Sequence, residues 1–176
     1  MAKLDLNGVD IERIQALIRE MQDDPHLLEK LTHSVWKSRL MWREGFQTYA
    51  FARELSPLML DQPDWLMGDN KGFSPHEIIL SALGASIAVV FVTNATALGI
   101  ALESLEVEVE GRLDLPAVFG ASGGSPGYEG VSVKVFVKGN APPEVMEMLH
   151  EKALAISPVA DTFRRPVKVS STLKVL

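Results

Sequence analysis

Cysteine is absent from all 176 residues. That excludes disulfides, thiolate nucleophiles and cysteine-ligated zinc or iron–sulfur centres. Cationic excess is lacking too. Seventeen Lys and Arg stand against 23 Asp and Glu, a formal net charge of −6. The surface as a whole therefore repels a phosphate backbone or an anionic bilayer, and neither nucleic acid nor a membrane is an expected partner. The opening Met1-Ala2-Lys3-Leu4-Asp5 lacks the basic start and apolar run of a secretory signal, which makes a cytoplasmic location the expectation. Among His26, His33, His76 and His150 no pair has the HExxH spacing that sets two imidazoles on one helix face. No metal and no cofactor are expected.

What is present is a globular composition, 47% hydrophobic and 23% charged. A chain of this length buries roughly 70% of its unfolded surface, enough for a self-sufficient core. From Ile78 to Ile100 no residue is charged, a run long enough to span a bilayer. Ser81, Ser86, Thr93, Asn94 and Thr96 interrupt it, and no Lys or Arg closely follows it. A buried core helix is the better reading, because a helix apolar on every side is also the axis of a soluble fold.

Along the chain, Asn7-Gly8 marks a turn. Ile11, Ile14, Leu17, Ile18 and Met21 then recur at helical spacing. Asp24-Pro25 ends that helix, and Leu27, Leu28 and Leu31 suggest a second, short one. Residues 1–34 thus read as a helical appendage to a main domain over 35–176. Trp36, Leu40 and Trp42 alternate with Lys37, Arg39 and Met41 as in a half-buried strand. Arg43-Glu44-Gly45 turns the chain, and Phe46 to Leu55 returns as the second arm of a hairpin. The irregular stretch from Ser56 to Phe73 is long for a connection inside a domain, which marks it as a functional candidate.

Ser74, Pro75 and Glu77 form the start signal of a long central helix, an N-cap, a first-turn proline and a capping box. Gly99 ends it. Leu105, Val107 and Val109 alternate with glutamates, and Val131, Val133, Val135 and Val137 alternate with Ser132, Lys134, Phe136 and Lys138. These two runs are expected to pair antiparallel, valines inward and acids opposite lysines. The glycine-rich segment between them lacks the lysine and following helix of a phosphate loop, and reads as a surface connection. Pro142 and Pro143 open a second long helix that Pro158 stops. Val167 to Val175 reads as a last strand. Strands separated by two long helices indicate an α+β fold.

Serine nucleophiles find little support. Leu83-Gly84-Ala85-Ser86 only approaches the Gly-x-Ser-x-Gly elbow, and Ser86 lies inside the helix rather than on an exposed turn. His76, ten residues earlier at 1.5 Å per residue, is about 15 Å away. Ser86 is expected to bond the Ala82 carbonyl one turn back. A hydrolase would need His150, or a histidine of a partner chain, beside Ser86. Glu103, Glu106, Glu108 and Glu110 read as a solvated face, and Trp36, Trp42 and Trp65 as core or interface anchors.

The segment Pro75-x-Glu77-x-x-Leu80-x-Ala82-Leu83-Gly84-Ala85-Ser86 resembles the central-helix motif of the OsmC/Ohr family, the osmotically inducible and organic hydroperoxide resistance proteins, whose pattern is Pro-x-Glu-Leu-Leu-x-Ala-Ala-Leu-x-x-Cys. The likeness continues through Gly111-Arg112-Leu113-Asp114-Leu115, Gly127-Tyr128 and the valine strand to Ile156-Ser157-Pro158-Val159-Ala160-Asp161-Thr162 and Pro166-Val167. It covers roughly residues 35 to 176 and leaves the N-terminal helices outside. It implies an OsmC-like fold with antiparallel sheets around two long central helices, two chains intertwined as a homodimer, and sites at the subunit interface of a bacterial oxidative-stress protein. In active members one cysteine attacks the hydroperoxide and a second resolves the sulfenic acid. Carried over, those places are Ser86 and Ser157. Arg43 resembles the arginine of the family's Arg-Asp-Gly turn. His76 stands at the position of its glutamate, with Glu77 one residue later. A serine hydroxyl cannot become a sulfenic acid. The expectation is therefore a protein without peroxidase activity that binds a small hydrophobic or oxidised molecule at the dimer interface. The alternatives are a peroxidase whose cysteines have been replaced and, with less support, a serine hydrolase.

Overall fold

The computed structural model describes residues 6–176. They form helices and two small antiparallel sheets, as the α+β reading expects. The chain divides into two compact units, one of residues 10–81 and the other of residues 6–9 together with Ala82–Leu176.

The first unit starts with α1 (Ile11–Asp23) and α2 (Pro25–Thr32). Asp10 caps α1 by accepting from the Arg13 amide at 2.9 Å. Asp24 ends α1 and caps α2, accepting from His26 and Leu27, with Pro25 at the first helical position. Neither helix buries a residue, so their predicted apolar stripes lie open. A three-stranded sheet follows, β1 (Arg39–Glu44), β2 (Gln47–Phe51) and β3 (Leu58–Leu60). The hairpin forms as expected, with Arg39 opposite Phe51 and Glu44 opposite Gln47, but the turn falls at Gly45-Phe46. Every residue of β1 is exposed, contrary to its half-buried reading, and Trp42 remains 71% accessible.

The stretch read as irregular contains β3 and a loop built on one carboxylate. Asp61 is 1% exposed. It accepts from the amides of Gln62 at 2.8 Å and of Asp69 and Lys71 at 3.2 Å each. Gly68 sits so close beneath the Gln62 carbonyl that a Cβ there would lie 1.9 Å from its oxygen. Only glycine fits. Buried Gln47 ties the loop to β2 through Asp69 Oδ2 at 2.7 Å.

The start of α3 (Pro75–Ala97) follows its sequence signal closely. Ser74 accepts from the Glu77 amide at 3.3 Å and donates its own amide to Glu77 Oε2 at 2.7 Å, a reciprocal capping box. Gly99, at φ +71°, follows the helix end where a left-handed residue is needed. This is the one helix among the described residues long and apolar enough to cross a membrane. Its buried residues build the core of the second unit. Leu83, Ile87, Phe91 and Ala95 pack with Ile100, Leu149, Ala153 and Ala160. Gly84 admits β4 to close range, since a Cβ there would stand 3.1 Å from Val109 Cγ2.

Strands β4 (Leu102–Leu113) and β5 (Tyr128–Gly139) pair antiparallel as expected, with Glu108 opposite Lys134. Val131, Val133, Val135 and Val137 pack against the core. A short α4 (Leu115–Val118), capped by Asp114, precedes the glycine-rich segment, which is a string of exposed turns and bends. Helix α5 (Pro143–Ile156) ends before Pro158, but the proline does more than stop it. Ser157, extended at ψ 121°, caps a further helix, α6 (Pro158–Arg164), and Pro158 opens it. The Ser-Pro pair is itself a start signal. Val167 to Val175 is not a strand here. It makes no ladder with the other described residues, and Val169, Leu173 and Val175 are each at least 86% exposed. Alternation provides a face for pairing, but a strand needs an edge to pair with.

Asn7 is more than a turn residue. Its Nδ2 donates to Thr96 Oγ1 at 3.0 Å and to the Ile100 carbonyl at 2.8 Å, and its Oδ1 accepts from the Leu102 amide at 2.8 Å. It fastens the end of α3 to the start of β4. Asn7→Ala is expected to lower stability by about 2 kcal/mol, since three hydrogen bonds vanish at half-buried groups. Urea denaturation checks this, and a change below about 0.5 kcal/mol would mean that water replaces the side chain.

Candidate functional site

Ser86 and Ser157 lie 71 residues apart in sequence, and their hydroxyl oxygens are 2.8 Å apart. The fold brings them together through two helix positions. Ser86 is the twelfth residue of α3, on the turn between buried Leu83 and Ile87. Ser157 is the hinge between α5 and α6 and is fully buried. Its Oγ also accepts from the Ala160 amide at 3.2 Å, the capping bond of α6. That bond occupies one lone pair of Ser157 and leaves its proton and second lone pair for Ser86, so either hydroxyl can donate across the pair.

This geometry corrects one expectation. The Ser86 hydroxyl is bonded to Ser157 rather than to the Ala82 carbonyl. An interhelical partner of matching size replaces the local back-bond. The Ser86 hydroxyl pairs with Ser157 and not with His150, whose Nδ1 is buried without a hydrogen-bond partner. The hydrolase reading loses its own-chain imidazole, and the paired hydroxyls form a neutral hydrogen bond rather than an activated nucleophile.

The remaining predicted residues lie in the first unit. Arg43, next to last in β1, donates from Nη1 to the Tyr49 hydroxyl at 3.1 Å and lies over the Tyr49 ring, 6.0 Å from its centroid. His76 is half-buried at the second position of α3. The carboxylate of Glu77 belongs to the capping box with Ser74. Of the five predicted residues, the structure therefore shows contact between Ser86 and Ser157, while Arg43 and Glu77 have local partners of their own. Among the described residues no group of three or more His, Asp or Glu is arranged to hold a metal ion.

Sequence reasoning missed a groove of about 270 Å³ in the second unit. Leu83 of α3, Val131 and Val133 of β5, Leu154 of α5 and Phe163 of α6 form its walls, and Arg164 stands at its side. Leu83 is one turn before Ser86, and Phe163 lies on the helix that Ser157 caps. The signal lay in the apolar positions of the segment after Ser157-Pro158, hidden while α6 went unrecognised.

Residues 68–172 match the family model described as OsmC-like protein. A search of the curated proteins finds no match. Several solved structures share the fold. An OsmC-like protein from Mycoplasma pneumoniae superposes with a TM-score of 0.64 at 17% identity, covering 75% of this chain and 89% of its own. An organic hydroperoxide resistance protein OsmC from Legionella pneumophila gives 0.57 at 18% identity, over 74% and 91%. The organic hydroperoxide resistance protein OhrB of Bacillus subtilis gives 0.53 at 16% identity, over 74% and 93%. The family model spans well over half the chain, and the chain belongs to the OsmC-like protein family.

Proposed function

We propose that this chain is a member of the family that binds rather than reduces, with a serine pair standing where active members carry the peroxidatic and resolving thiols. The observation that carries this reading is the 2.8 Å contact of Ser86 with Ser157. Two positions matched to the thiols by motif alone are neighbours, as a reacting and a resolving group must be. The hydroxyl pair has no route to a sulfenic acid or a disulfide. Arg43, His76 and Glu77 take the places of the flanking charged groups in this reading. The commitment of Glu77 to the capping box favours a site no longer set up to hold a thiolate.

A homodimer in the cytoplasm is part of the proposal, with the ligand, a small hydrophobic or oxidised molecule, held at its interface. Ile79 and Val89 on α3, and Leu98 just past its end, are 45%, 66% and 56% exposed in the single chain. Open apolar surface on a core helix, together with the unpaired segment after Pro166, asks for a cover of the same chemistry.

The test is consumption of cumene hydroperoxide with a dithiol reductant, comparing Ser86→Cys with the unmodified chain. The parent is expected to be inert. Turnover by the variant would show that one sulfur separates this site from a peroxidase. If the new thiol is accessible, the fold unchanged and the variant still inert, the surroundings have been remodelled for binding. Turnover by the parent overturns the proposal.

A further inference from the structure

We propose that the groove between β5, α5 and α6 is a binding site for a small monocarboxylate with an apolar body, its head held by Arg164. The inference rests on the reading above that this chain binds rather than reduces, and places a ligand in a groove formed within one chain; neither serine is part of the argument.

The walls are the side chains of Leu83, Val131, Val133, Leu154 and Phe163, and Arg164 is the one charged residue among those lining the groove. Its guanidinium is fixed in place. Nε donates to the Ala160 carbonyl at 3.3 Å, and Nη2 donates to the carbonyls of Leu154 at 2.9 Å and Ala155 at 3.2 Å. These bonds quiet the last turn of α5 and use three of the five N–H donors. The two on Nη1 have no acceptor among the described residues, and none of the ion pairs there involves Arg164. A guanidinium held by backbone carbonyls loses little further freedom when an anion arrives.

Charge and size then choose the ligand. One free nitrogen, with no lysine and no second arginine on the lining, suits a singly charged planar head better than a phosphate dianion. At about 30 Å³ for a water-sized group, the groove has room for roughly nine heavy atoms. Octanoate is the matching probe, and octan-1-ol is its uncharged counterpart.

Titration calorimetry on the full chain gives the test. Octanoate is expected to bind at least ten times more tightly than octan-1-ol at low salt, with the preference shrinking as salt rises. Arg164→Met is expected to abolish that preference while leaving octan-1-ol binding within twofold. Leu154→Trp, which fills the groove, is expected to remove both. Should Arg164→Met lose helix content, the octanoate-to-octanol ratio on the unmodified chain and its salt dependence decide alone. Equal binding of the two probes overturns the carboxylate assignment and leaves the binding reading standing. Binding of neither overturns the groove as a site, while the hydroperoxide assay tests the reading beneath it separately.

Discussion

Asp61→Ala is expected to destabilise the first unit by about 3 kcal/mol or more. The carboxylate is almost completely buried and gathers three backbone amides from both sides of the loop, those of Gln62, Asp69 and Lys71. Each bond to a carboxylate contributes about 1.5–3 kcal/mol, and deletion leaves three half-buried amide donors without that partner. Asp61→Asn keeps one acceptor oxygen and should fall between the variant and the parent. Urea denaturation followed by near-ultraviolet circular dichroism would measure this, because Trp65 lies within the loop. A loss under about 1 kcal/mol would mean that the loop holds itself through Gly68 and its backbone turns. The outer part of the same loop carries a pH dependence. The hydrogen bond and charge of Lys71 hold the Asp69 carboxyl below its ordinary value, and Asp69 in turn holds the Lys71 ammonium above its own. The Asp69 contribution is present above the unfolded carboxylate value and is lost as pH falls through the lower folded one. The Lys71 contribution is present below its unfolded value and is lost as pH rises through the higher folded one. Both groups are exposed, so the loop is expected to loosen only slightly at either extreme.

Phe91→Ala is the second large effect, expected to cost about 4 kcal/mol. Phe91 is fully buried in the cluster that includes Ile87, Ala95 and Leu149, so truncation leaves a cavity that α3 and α5 cannot close without moving as rods. Val89 lies on the same helix, 66% exposed. In an isolated chain Val89→Ala would change stability by no more than about 0.5 kcal/mol. A partner chain over that face raises the cost and makes it depend on protein concentration. Thermal unfolding of both variants at two concentrations therefore measures the core and tests the proposed dimer together. If Phe91→Ala costs less than about 1 kcal/mol, the cluster is not the core of this unit.

The legible parts of this fold were those set by short-range chemistry. The capping box at Ser74 and Glu77 and the termination of α1 at Asp24-Pro25 depend on residues within one turn of each other, and they form as read. The valine alternation of β5 names a face, and that face meets the core. The same kind of alternation over Val167–Val175 produced no strand, because the pattern cannot supply the edge that completes it. Pro158 was legible as a stop but was also a start, since Ser157 before it is a cap in extended backbone. Asp61 and Asn7 gave no pattern at all. Each is a single polar residue whose role depends on amides or carbonyls brought to it by the fold. The candidate site divides the same way. Spacing alone gave Ser86 a local bond to Ala82, and only the motif resemblance placed Ser157 beside it, across 71 residues of sequence.

That contact is the centre of the account, and oxidation of a Ser86→Cys/Ser157→Cys double variant tests it most directly. The two oxygens are already 2.8 Å apart, and longer carbon–sulfur bonds on the same two Cβ atoms bring the sulfurs toward the ~2 Å of a disulfide. One equivalent of diamide, which couples neighbouring thiols without needing a peroxidase site, is expected to convert the unfolded-and-alkylated mass from two blocked thiols to an intrachain disulfide with no free thiol. Two thiols that remain separately alkylatable would contradict the side-by-side placement of this serine pair.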